Sequence, residues 1–152
     1  MSVTTRLAEL GLELPAVATP VGAYVPALRQ GAQVTTSGQL PLVAGKLPAT
    51  GKVGAEVSPE QAYDLARTAA LNALAAASSV AGGPDAITGV LRVCVFVASD
   101  PGFTAQAGVA NGASDLLGEL FGVAGQHVRS AVGVAVLPLD APVEVELTVT
   151  VS

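Results

Sequence analysis

Val143-Glu144-Val145-Glu146-Leu147-Thr148-Val149-Thr150-Val151 alternates without a break, aliphatic on the odd positions and polar on the even ones. Successive side chains of a strand point to opposite faces, so this stretch reads as a strand with one apolar and one polar face. A strand of that kind belongs in a sheet whose apolar side is covered by helices. Just before it, Ser130 to Val136 is a second strand-like run, and Leu137-Pro138-Leu139-Asp140-Ala141-Pro142 is the turn between them.

Working toward the N-terminus, Ile87 to Ala98 is a long strand, apolar on both parities and therefore expected to be buried on both faces. Two helices flank it. Ser58-Pro59-Glu60-Gln61 carries a capping serine, a first-turn proline and a glutamine that completes a capping box. Leu65, Ala69, Asn72, Ala73 and Ala76 then recur at helical spacing up to Gly82-Gly83. The second helix is expected from Asp100-Pro101 to about Phe121. Tyr24 to Leu28 and Gln33 to Gly38 read as a hairpin turning at Gly31. Residues 41–57, with three glycines, hold at most a short edge strand, and Thr4 to Leu10 forms a short helix stopped by Gly11. The order is ββ(β)αβαββ, a single α+β domain over 1–152 with helices on one face of a mixed sheet.

Composition narrows the function. The chain is 51% hydrophobic and 12% charged, about half the usual charged share of ~25%. So little polar surface implies that apolar surface is shared between subunits, most simply in a cyclic homo-oligomer. The net charge of −5 and seven scattered cations disfavour a nucleic-acid partner. Cys94 and His127 are the only cysteine and the only histidine, which excludes an intrachain disulfide, a thiolate metal cluster and a His-rich site. Cys94 reads as a buried structural thiol. With no signal-peptide pattern at the N-terminus and no apolar run near the ~20 residues that span a bilayer, the expected location is the cytoplasm, with no membrane partner.

Arg129 is the only cation in the last sixty residues. A guanidinium beside an apolar sheet is costly unless an anion meets it, and that anion is either a structural carboxylate or a ligand. By parity Arg129 shares its face with Ala131, Gly133 and Ala135. A floor of small residues leaves room for a ligand, or admits a packed helix or a neighbouring subunit. Glu144 and Glu146 lie on the polar face of the last strand. Either this face is solvated, or one glutamate reaches the arginine's cleft to hold water or move a proton. Arginine's planar fork suits the complementary task of gripping a carboxylate through two parallel hydrogen bonds. Gly38, after Thr36-Ser37, permits close backbone approach by a ligand. His127 reads as a pH-sensitive ligand contact or a surface residue, and Tyr24 as a cleft hydroxyl or an ordinary strand residue.

Gly22-Ala23-Tyr24-Val25 and Thr36-Ser37-Gly38-Gln39-Leu40-Pro41 resemble the opening of the Rid (YjgF-like) proteins. The resemblance continues through Gln61 to Asn72, Val95-Phe96-Val97 with Asp100 and Phe103, and Arg129-Ser130 on to Leu137-Pro138 and Val143-Glu144-Val145-Glu146. It covers Gly22 to the end and leaves residues 1–21 as an N-terminal extension. It implies a chorismate-mutase-like fold, two helices on one face of a mixed sheet, in a homotrimer whose sheets pack around the three-fold axis with ligand clefts between subunits. RidA-type members hydrolyse enamines and imines such as 2-aminoacrylate to 2-keto acids and ammonia without a cofactor or metal. Carried across, Arg129 clamps the substrate carboxylate with help from the Gly38 amide. Glu144 positions water, Tyr24 and Ser37 line the pocket, and Asn111 matches a recurrent asparagine. The chain departs from the RidA type at Ala131, where cysteine is usual and which here borders the substrate. It departs again at Gly133, where an acid is common, and at Ser114, where an aromatic is expected. This is the pattern of a divergent subgroup. The alternative is a non-catalytic trimer that binds small carboxylates as a metabolic sensor or partner. An endoribonuclease reading conflicts with the charge.

Overall fold

The alternating strand is the middle of the sheet. In the computed structural model, which describes residues 1–152, the elements are α1 (Val3–Glu9), β1 (Ala27–Gln30), β2 (Gln33–Thr36), α2 (Pro59–Ala81), β3 (Ile87–Ala98), α3 (Gln106–Phe121), β4 (Val128–Val134) and β5 (Val143–Val151). The sheet runs β1-β2-β5-β3-β4, with β3 and β4 parallel and every other pair antiparallel. α2 packs on the β1-β2-β5 half and α3 on β3 and β4. No helix is long and apolar enough to cross a membrane.

The core lies between the helices and one face of the sheet. Val143, Val145, Leu147, Val149 and Val151 are buried there, level with Val93, Val95 and Val97 of β3. α2 meets them with fully buried Ala62, Ala66, Ala69, Ala70, Ala73, Ala76 and Ala77, whose small side chains let the helix lie close to the strands. Ser58 caps α2 by accepting from the Gln61 amide at 3.1 Å, and Gly82 ends it in the left-handed region at φ 99°. At Gly112 of α3, an added methyl would overlap the Tyr63 carbonyl oxygen of α2, a backbone atom that cannot swing aside. Gly112→Ala is expected to destabilise by about 3 kcal/mol through overpacking, offset by the ~1 kcal/mol that alanine gains over glycine in a helix. A lower Tm with unchanged far-UV dichroism checks this.

Several sequence expectations are corrected. β3 is covered on one face only: Val93, Val95 and Val97 are fully buried, whereas Cys94 and Phe96 are half-buried on the side away from the helices. Both parities are apolar, but the chain supplies helices for one. Tyr24 lies in a bend ahead of β1 rather than in it. There Pro26 has no N–H for a ladder, and its carbonyl instead accepts from the Ser37 amide at 2.8 Å. α3 begins at Gln106, not Asp100, because Asp100 closes a turn with Phe103 (2.8 Å) and its own amide is tied to Val53 O (2.9 Å). The capping box at Ser58 is half formed, since the Gln61 side chain makes no return bond.

Candidate functional site

Register decides which side chains can meet. Across the sheet, Arg129, Val93 and Leu147 stand in one row, and Val93 and Leu147 point into the helix-covered core. Val132, Phe96 and Glu144 stand in another row of opposite parity. Arg129 is therefore on the helix face of β4 at the sheet's edge, and Glu144 is on the open face. Within one chain the two residues do not share a cleft.

On the helix face, α3 presents Ala107, Asn111 and Ser114 at i, i+4 and i+7, one stripe turned toward β4. Arg129 Nη1 donates to Asn111 Oδ1 at 2.7 Å and to Ser114 Oγ at 3.1 Å, and Nη2 donates to the Ala107 carbonyl at 3.4 Å. A guanidinium has five N–H donors, so Nε–H and one Nη2–H are left. Arg129 forms no ion pair; the three present are Arg6–Glu9, Lys52–Asp140 and Arg67–Glu119. The question posed by the lone cation is thus answered within the chain: no structural carboxylate neutralises it. The small residues beside it serve mainly to admit the helix. Gln106 Nε2 and Ser99 Oγ would stand 2.7 and 3.1 Å from a methyl on Gly133, and Ala131 is half-buried against the core.

On the open face, Glu144, Tyr24 and Gly38 line one cavity of about 330 Å³. Its other walls are Pro26, Gln39, Leu40, Leu42, Pro138, Leu139 and, from the segment before β1, Ala18 to Val21. Gly38 lets the Glu144 carboxylate lie against the backbone, since a Cβ there would overlap it. Burial first, and the Glu146 charge second, raise the Glu144 carboxyl above its ordinary pKa. Within one chain Ser37 does not line this cavity. Its hydroxyl donates to Val25 O at 2.7 Å, which with its amide bond to Pro26 anchors the Tyr24 bend. No cluster of three or more His, Cys, Asp or Glu is placed to hold a metal ion.

Two contributors, Asn72 and residues 18–21, were not anticipated as parts of the site. Asn72 is buried and donates to the Leu40 and Leu42 carbonyls at 2.9 and 3.0 Å, pinning that wall of the cavity to α2. An asparagine on an otherwise alanine-lined buried face was its signal. Residues 18–21 close another wall. Ser114 and His127 stand behind Arg129, with Ser114 Oγ 2.9 Å from His127 Nε2.

A mixed sheet under two helices, with an unpaired arginine on one face and a half-buried carboxylate on the other, defines a small α+β protein of the chorismate-mutase-like class. The chain belongs to the family described as "YjgF/chorismate_mutase-like, putative endoribonuclease", which matches residues 4–150. It is similar to Protein TCP17 of Trypanosoma cruzi, 43% identical over 150 residues, covering 97% of this chain and 92% of that one. Among solved structures, Atu1372 of Agrobacterium tumefaciens, a protein of unknown function, is 40% identical with a TM-score of 0.90, over 99% of this chain and 92% of that one. TdcF of E. coli, solved with bound serine, is 25% identical with a TM-score of 0.63, over 91% of this chain and 99% of that one.

Proposed function

We propose that this chain is a cofactor-independent hydrolase of small enamine and imine carboxylates of the 2-aminoacrylate type, giving 2-keto acids and ammonia. In this reading it works as a cyclic homo-oligomer, a trimer, in which Arg129 of one copy and Glu144 of the next face the same cleft. The observation that carries the proposal is the Arg129 fork, held on three sides by α3 yet without any anion. Two spare donors and a full positive charge suit a carboxylate. Serine bound to TdcF is a small carboxylate ligand in a relative. A second copy is needed because the two halves sit on opposite faces. The open face offers it apolar surface, with Leu28 65% and Val132 46% exposed.

In the cleft, the enamine tautomerises to its imine and Arg129 holds the carboxylate. Water adds to the C=N carbon as Glu144 takes its proton. The protonated Glu144 returns that proton to nitrogen, giving a carbinolamine. It then takes the carbinolamine hydroxyl proton and delivers it to nitrogen as the C–N bond breaks, so the keto C=O forms and ammonia leaves. A carboxyl with a raised pKa suits these transfers near neutral pH. Tyr24, the Gly38 amide, Asn111 and Ala131 border the substrate. Gly38→Ala would displace the Glu144 carboxylate while touching only the tip of a flexible side chain. It is expected to cut turnover by up to about 10²-fold, as misplaced catalytic groups do, with Tm nearly unchanged.

The test is release of keto acid from an imine made in situ by oxidation of a neutral amino acid. Wild-type protein is expected to accelerate it, and a rate equal to that with heat-denatured protein overturns the hydrolase. Carboxylate binding without acceleration would leave the sensor reading standing. Ribonuclease activity is not favoured: the open face carries Glu144 and Glu146, and three of the seven cations are already paired to carboxylates.

A further inference from the structure

The chain's only histidine is built into the support of Arg129. His127 Nδ1 lies 2.6 Å from the Gly125 carbonyl, and its Nε2 lies 2.9 Å from Ser114 Oγ. A carbonyl only accepts, so Nδ1 carries the proton, and in the neutral ring Nε2 is an acceptor. The Ser114 hydroxyl therefore donates to Nε2, which turns its lone pairs toward the Arg129 Nη1–H at 3.1 Å. Donors then run in one direction, from Arg129 to Ser114 to His127 to Gly125. The far end is firm, because Gly125 is buried against α3, with the Leu117 carbonyl 2.5 Å from where its Cβ would be.

Without this relay a serine hydroxyl rotates freely, and its proton can point at the guanidinium as easily as its lone pairs. With it, both Nη1 hydrogens have fixed acceptors, Asn111 Oδ1 and Ser114 Oγ. The donors that remain, Nε–H and one Nη2–H, have no partner within the chain. We propose that Ser114 and His127 are positioning residues that hold the Arg129 guanidinium in the orientation that receives a ligand carboxylate. This rests on the reading of Arg129 as a carboxylate clamp. Neither residue touches the ligand; both act through the arginine.

The experiment uses pyruvate as probe and imidazole ¹⁵N resonances as readout. Because His127 is the sole histidine, those resonances belong to one ring. With the ring neutral, the spectrum is expected to show the Nδ1–H form. In ligand-free protein, Arg129→Lys should move the Nε2 resonance, and Ser114→Ala should abolish that response. By calorimetry, Ser114→Ala should weaken pyruvate binding about tenfold, the value of one charge-assisted hydrogen bond. Ser114→Thr, which keeps the hydroxyl, should restore it. A merely structural serine would lower Tm in the alanine variant and leave the Nε2 response to Arg129→Lys intact. Pyruvate binding unchanged by Ser114→Ala, or an Nε2 resonance indifferent to Arg129→Lys, overturns the relay. Wild-type protein that binds no pyruvate overturns the clamp reading instead, and the positioning role with it, even where the resonances respond.

Discussion

Arg129→Ala is expected to abolish measurable binding of small keto acids, with an affinity loss of roughly 30-fold or more. Truncating one partner of a hydrogen-bonded charge pair costs about 2–5 kcal/mol, and each 1.4 kcal/mol is tenfold. Arg129→Lys should be nearly as poor despite its charge. Three of the guanidinium's bonds go to Asn111, Ser114 and Ala107, and a lysine ammonium cannot meet all three and still present a fork. Calorimetry with pyruvate reads both variants. The fold is expected to survive, since Arg129 is half-buried at the edge of the sheet and outside the core.

Glu144→Gln is expected to separate binding from chemistry. Turnover should fall by about 10²–10⁴-fold, the usual contribution of a general acid/base, while pyruvate affinity stays close to wild type. The same variant has a predictable effect on stability. The Glu144 carboxyl is raised in the folded state, chiefly by burial, so the folded chain holds a proton that the unfolded chain releases. Its contribution to stability is full below the unfolded carboxylate value and is lost as pH rises through the folded one. Glutamine carries no such loss. At neutral pH Glu144→Gln should melt slightly higher than wild type, on the order of 1 °C once the exposed half of the side chain is discounted. The gap should close as pH falls into the ordinary carboxylate range. Paired melts across pH, with ammonia release as the activity readout, check both halves.

Much of this architecture is readable in the chain because strand parity is a strong signal where one face is buried. The alternation in β5 identified its core face residue by residue, and Ser58-Pro59 and Gly82 located both ends of α2. Parity has a limit, however: it assigns faces within one strand and not between strands. Arg129 and Glu144 are on opposite faces because of how β4 and β5 register on β3, and that is a tertiary fact. β3 misled for a related reason. Its second apolar parity is real, but no helix of the chain packs on it, and Cys94 and Phe96 stay half-buried. The Ser114–His127 contact joins a helix to the residue before a strand, thirteen positions apart, and depends on how α3 docks. Tyr24 to Leu28 carries a strand-like pattern, but Pro26 and the bonds from Ser37 set the strand boundary after Tyr24.

The proposed cleft takes Arg129 from one copy and Glu144 from another. Subunit complementation tests it most directly. Arg129→Ala and Glu144→Gln chains, each inactive alone, are co-expressed and the mixed oligomers assayed for imine hydrolysis. In a ring where each copy gives its arginine to one cleft and its glutamate to the next, random mixing restores about a quarter of the clefts. Activity near that fraction of wild type is the predicted result. Mixed oligomers no more active than either variant alone would contradict the shared site.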